Sequence, residues 1–244
     1  MKNMKLVAGL IVILLMTMLA QAAESPALQD FDSQVLAARQ HMRSYCALIQ
    51  KVMKSNDEAT AQKSLQEIQQ AGVLWDKIPK QYAKNPPPEY ARDSQFAGRL
   101  KTMQMLFDEM AYNVQNKKYQ MAFNNCAFAC GLFVKMHEEN GLVYVSDRLF
   151  ALRKTIKSAQ TLHSNGHSLK EIVPEIQSLR DRVFQAPFPE KSATFTPAME
   201  ELSRTIDHLA QQVFTDDKTA IGTTLTELTN QVNDLYALSL QIPS

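Results

Sequence analysis

The chain has 244 residues, with 26 basic and 25 acidic side chains and a formal net charge of +1. That balance, with no lysine or arginine run longer than two residues, excludes the basic footprint of a nucleic-acid binder or of a protein held on an anionic membrane surface. Only seven glycines, set among long stretches of 3.6-residue apolar periodicity, argue against a strand-rich architecture and for an all-α one.

The chain opens Met-Lys-Asn-Met-Lys, runs apolar from Leu6 to Leu19 and reaches Ala20-Gln21-Ala22. A basic start, a short apolar run and a small-x-small site describe a secretory signal peptide over residues 1–22. The run is short of the roughly 20 apolar residues of a membrane span, so a retained anchor is the lesser reading. No cysteine follows the cleavage site, which argues against a lipid anchor. Cleavage removes Lys2 and Lys5 and leaves 24 basic against 25 acidic side chains, net −1. The mature chain is expected to be exported, most simply to the periplasm, without membrane insertion. Three cysteines in an oxidising compartment permit one disulfide and leave one thiol over.

A first helix is predicted from Leu28 to Lys54, with Phe31, Val35, Met42, Tyr45, Cys46, Ile49, Val52 and Met53 on a stripe of threes and fours. Ser55-Asn56-Asp57 stops it and caps a second helix through Ala61, Leu65, Ile68 and Trp75. Pro79 to Asp93, with prolines at 86, 87 and 88, is predicted to be an extended crossing loop. Trp75, Tyr82 and Tyr90 border it, either packed beneath the crossing or presented to a partner. A third helix carries Phe96, Leu100, Met103, Phe107, Met110 and Val114; after Asn116-Lys117-Lys118 a fourth carries Met121, Phe123, Cys126, Cys130, Phe133, Val134 and His137, and Asn140-Gly141 ends it.

The pattern then restarts. Leu149, Leu152, Ile156, Ala159 and Leu162 mark a fifth helix. Ser168-Leu169-Lys170-Glu171 has the form of a capping box opening a sixth through Ile172, Ile176, Leu179 and Val183. A loop with Pro187 and Pro189 leads to Thr196-Pro197, predicted as a cap and first helical residue, and to Met199, Leu202, Ile206, Leu209 and Val213. Asp216-Asp217 open the last helix, through Ile221, Leu225, Leu228, Val232, Leu235 and Leu238. A shift of 99 residues lays the third helix on the seventh, from Phe96 on Phe195 to Val114 on Val213. The expected architecture is two tandem up-down four-helix bundles, 27–141 and 146–242, with the cysteines in the first.

Asn124 to Gly141 concentrates the reactive side chains. Cys126 and Cys130 are four apart and share a helix face. Either they are small core residues, or one of them pairs with Cys46, or they chelate a soft metal such as copper with Cys46 and His137 as further ligands. His137 lies about 10 Å of rise beyond Cys130, too far for all three to hold one ion directly. His163 and His167 flank a turn and are expected in solvent rather than on a metal; His208 has no evident partner, and His41 is placed near a bundle end. Eight methionines remain after signal removal, scattered as core filling rather than clustered for copper. No phosphate loop, zinc-protease motif or nucleophile elbow occurs.

Two cysteines, an aromatic residue, Met136-His137 and Asn140-Gly141 near the end of a four-helix unit resemble the haem-attachment helix of the cytochrome c′ and cytochrome c556 family. The resemblance implies an exported bundle in which Cys126 and Cys130 would carry haem by thioether bonds. It departs from the family's pattern by one extra residue between the cysteines and by Gly131 where the iron-ligating histidine belongs. The second half has no cysteine at its equivalent positions, near Thr229 and Asn233. The expectation is a non-enzymatic exported binding or accessory protein without cofactor, working with another periplasmic protein such as a c-type cytochrome. One alternative is an electron carrier with haem c on Cys126 and Cys130 and Met42 as axial ligand. The other is a copper protein.

Overall fold

A computed structural model of the protein describes residues 24–187 and 194–241; the expected signal peptide and Pro189 lie outside the described residues. The fold is all-α. Helix α1 (Pro26–Ser55) starts with Pro26 in its first turn and Ser25 Oγ accepting from the Leu28 amide at 3.1 Å. Asn56 ends it with φ at 53°, a left-handed conformation that asparagine tolerates. Asp57 then caps α2 (Glu58–Trp75) through the Thr60 amide at 2.8 Å.

The segment predicted to be wholly extended is partly helical. Lys77–Tyr82 forms a short helix, α3, and Pro88–Tyr90 a 3₁₀ turn. Pro79 is the third residue of α3, where an amide has no acceptor within the helix, so its missing N–H costs nothing. Trp75, Tyr82 and Tyr90 are all buried beneath this crossing, which makes it a packed one. Phe31 of α1 meets Tyr82, Tyr90 and Phe96 at ring-centroid distances of 5.2, 5.5 and 5.6 Å.

Helices α4 (Phe96–Gln115) and α5 (Tyr119–Glu139) follow, then α6 (Val145–Ser164), α7 (Ile172–Gln185), α8 (Phe195–Thr215) and α9 (Lys218–Ser239). Two start signals act differently from expectation. Ser168 Oγ accepts from the Lys170 amide at 3.3 Å, a local turn rather than a capping box, and α7 begins beyond it at Ile172. Helix α8 begins at Phe195, so Pro197 is its third residue, still within the turn that needs no amide donor. Asp217 caps α9 through the Ala220 amide at 3.0 Å.

The long helices pack in two rings of four. In the first, α1 lies against α2 and α5, and α4 against α2 and α5; in the second, α6 lies against α7 and α9, and α8 against α7 and α9. One core runs from Leu28 to Met136 and the other from Val145 to Leu240. The 99-residue register extends beyond one helix: every buried position of α4, from Phe96 to Val114, lands on a buried position of α8, and α5 starts 99 residues before α9. In that register Leu225 and Thr229, rather than Thr229 and Asn233, stand where Cys126 and Cys130 do. Helix α1 breaks the likeness. Its 30 residues span about 45 Å against about 30 Å for the 20-residue α6. Through Leu36, packed on the second core, and Gln40, whose side chain donates to the Leu240 carbonyl at 3.1 Å, it reaches the other ring.

Candidate functional site

The cysteine helix divides on folding. Cys126 is bonded to Cys46, 80 residues away, with Cα atoms 6.0 Å apart, so α5 is stapled to α1. Cys130 stays a thiol, 8% exposed, with its sulfur 3.8 Å from Tyr236 Oη. Burial pushes that thiol up, against the pull of the nearby Arg39 cation, so it is not a ready thiolate. Met42 is packed in the first core. These residues do not fit covalent haem as they stand: Cys126 Sγ is taken by the disulfide, and a Cβ at Gly131 would meet nothing within 4 Å, so that position faces away from the core holding the cysteines. Nor do Cys46, Cys126, Cys130 and His137 form a common ligand set. Among the described residues no three His, Cys, Asp or Glu side chains gather as for a metal ion.

His137 has other company. Its Nδ1 is 2.5 Å from Asp147 Oδ2, a residue of the first turn of α6, so the hydrogen bond crosses from one ring of helices to the other. Arg39 of α1 completes the group, with Nη2 3.9 Å from Asp147 Oδ1 and its guanidinium 4.7 Å above the centre of the Phe133 ring. Arg39, His137 and Asp147 are 5%, 2% and 4% exposed. Burial pushes the Asp147 carboxyl up, but the His137 ring, with Arg39 and Arg148, outweighs it and holds the group below the usual carboxylate range. Beside them Tyr144, its ring 4.3 Å from that of His137, donates to Asp32 Oδ2 at 2.5 Å. Burial and the Asp32 charge push the Tyr144 hydroxyl far above its ordinary range, so it remains a donor.

Taking such charges out of water is costly, and their mutual attraction offsets that only when hydrogen bonds are complete. Here they are not. Arg39 Nε and Nη2, His137 Nε2 and Asp147 Oδ1 are buried without a hydrogen-bond partner. Arg39 and His137 border a cavity of about 480 Å³ between the two rings, lined also by Asp32 and Leu36 of α1, Phe195 of α8 and Leu240 after α9. A cavity of this size, lined by apolar side chains together with Glu24, Asp32, Arg39, His137 and Tyr144, is within the range of small-molecule sites.

Of the sequence candidates, His137 alone belongs to this place. Arg39, Asp147, Asp32 and Tyr144 were missed. Arg39 carried a readable signal: a charge between Val35 and Met42, in phase with the apolar stripe of α1. Asp147 had none, because its role depends on how α6 turns back against α5.

His41 pairs with Glu67 at 2.8 Å and His208 with Gln212 at 3.1 Å, while the His163 ring lies against Gly222, 3.1 Å from where a Cβ would stand. Among the described residues no helix is long and apolar enough to cross a membrane, and the disulfide is compatible with an exported protein. No family model, curated protein or solved structure matches the chain.

Proposed function

We propose that this chain is an exported, non-enzymatic periplasmic binding protein whose ligand site is the cavity between the two rings of helices. The observation that carries this reading is Arg39: a buried guanidinium, ion-paired with Asp147, whose Nε and Nη2 make no hydrogen bond at the wall of a ligand-sized cavity. Buried N–H groups left without hydrogen bonds are retained at a cost even beside a paired charge, and a ligand that accepts those hydrogen bonds would offset it. The Asp147–His137 pair has the outline of an acid–base dyad, but His137 Nε2 makes no hydrogen bond to a hydroxyl or thiol, which supports binding over nucleophilic catalysis. The signal-like N-terminus and the disulfide support export. Delivery to or from another exported protein, such as a c-type cytochrome, is the accessory role this suits.

The test is a small-fragment screen by amide-resolved NMR on the oxidised protein purified from the periplasm. The amides shifted by binders should centre on Val35–Arg39, Val143–Asp147 and Leu240. A screen in which no fragment perturbs those amides overturns the reading.

A further inference from the structure

Met105 and Tyr112 of α4 and Met121 and Phe128 of α5 are 61%, 54%, 51% and 60% exposed, half of the eight large apolar side chains exposed among the described residues. Within each helix the two are seven residues apart, so they share one face, on the side away from the core. Helices α4 and α5 are antiparallel neighbours joined by residues 116–118. At the far end of this hairpin Asn140 donates to Asp93 Oδ2 at 3.0 Å and Arg99 is ion-paired with Glu139. In that register Met105 stands level with Phe128, and Tyr112 with Met121, as two apolar rungs about 10 Å apart along the hairpin. Lys118 Nζ edges the face, 5.4 Å over the Tyr112 ring.

The second ring is an internal control. In the 99-residue register Met105, Tyr112, Met121 and Phe128 correspond to Arg204, Gln211, Ala220 and Glu227. There the same face is solvated: Arg204 is ion-paired with Glu201, and Glu227 accepts from Gln231 at 3.1 Å. The helices therefore form and pack without apolar residues on this side, and an apolar face that the fold does not need is the mark of an interaction surface.

We propose that two copies of the chain associate through this face, about a twofold axis parallel to α4 and α5. That axis lays α4 of each copy against the antiparallel α5 of the other, with level residues opposed. Met105 then meets the partner's Phe128, and Tyr112 the partner's Met121, each contact made twice, as in any isologous interface. Charge favours the same axis. Asp108 and Glu109, which lie between the rungs on α4, come level with the neutral amides of the partner's Asn125 and Asn124. Lys101 comes level with the partner's Leu132, and Lys135 is already paired with its own Glu139 at 3.6 Å. A twofold axis across the helices would instead set Asp108 and Glu109 of the two copies against each other, a like-charge contact. A Met, Tyr or Phe side chain just over half exposed offers about 100 Å², so the four supply roughly 400 Å² per copy, half of what a stable interface takes from each partner. The polar side chains between and around the rungs supply the remainder.

The experiment measures self-association of the oxidised protein by sedimentation equilibrium. The unaltered protein should dimerise with a dissociation constant below about 20 μM. Met105→Arg and Phe128→Glu, which place the second ring's residues in the first, should each weaken the dimer at least about 100-fold by burying an unpaired charge twice. Both positions are exposed, and retained helical circular dichroism confirms each fold. The opposed pairs make a sharper demand: an equimolar mixture of the two variants sets arginine against glutamate at one contact and keeps Phe128 on Met105 at the other. That mixture should dimerise within about tenfold of the unaltered protein. A mixture that stays monomeric, or a single variant that dimerises as tightly as the unaltered protein, overturns the proposal. So does an unaltered protein that is monomeric at about 100 μM, which would leave the face to a different protein.

Discussion

The two rings of helices share a register and differ in what fills it. In the first, the core mixes Trp75, Tyr45, Phe31, Phe107 and Phe133 with methionines, and one covalent bond fastens α1 to α5. In the second, the same 99-residue spacing holds Leu202, Ile206, Leu209, Leu228 and Val232, and no cysteine. The first therefore relies on bulky rings that pack edge to face, as Trp75 does on Phe107 and Phe133, and on a cross-link. The second relies mainly on branched aliphatics, with Phe195, Met199 and Tyr236 among them. Spacing fixes which residues point inward; residue size and chemistry then decide how each ring is held.

The largest predicted way to break that difference is to remove the cross-link. Closing a loop of 80 residues restricts the unfolded chain by about 4 kcal/mol in the chain-entropy account. The double variant Cys46→Ala/Cys126→Ala should lose about that much in urea denaturation followed by Trp75 fluorescence. Next comes a matched pair of core truncations. Met103→Ala and Leu202→Ala occupy equivalent buried positions, and each should cost about 3 kcal/mol; costs differing by more than about 1 kcal/mol would show that the shared register does not carry shared packing.

A third variant, Asp147→Asn, acts on the contact between the rings. Removing its charge weakens a buried charged hydrogen bond, worth about 2 kcal/mol. The pH dependence has a definite sign. Because the folded carboxyl lies below its ordinary range, its contribution is complete where the unfolded carboxyl is ionised, above about pH 4, and is lost as pH falls through the lower folded value. The gap between the unaltered protein and Asp147→Asn should therefore be full at neutral pH and close in acid. The smallest effects fall on helix caps: Asp57→Ala in the first ring and Asp217→Ala in the second should each lower the urea midpoint slightly, the first somewhat more because Asp57 accepts from the Thr60 hydroxyl as well as its amide while Asp217 accepts only the Ala220 amide.

Most of the helix plan was legible because amphipathic spacing and stop signals act locally. Asn56, Gly141 and Asp217 each end or open a helix as their chemistry suggests. Proline misled at Pro79 and Pro197, where only its position within the first turn decides whether it breaks a helix. The cysteine helix drew attention by its residue types, yet its sulfurs are apportioned between a staple and a core thiol. The polar group at the junction was nearly invisible. Its members lie on α1, α5 and the start of α6, separated by about 100 residues, and nothing in the local pattern brings Arg39 to Asp147.

The length of α1 has a thermodynamic consequence. A helix that is built into one core and also touches the other lets neither ring melt independently. Heating that disorders the second ring strips Leu36 and Gln40 of their contacts, and disordering the first removes the surface on which α6 and Leu240 rest. Calorimetry should then record one heat-absorption peak with equal calorimetric and van't Hoff enthalpies, the behaviour of a single cooperative unit despite two separate cores.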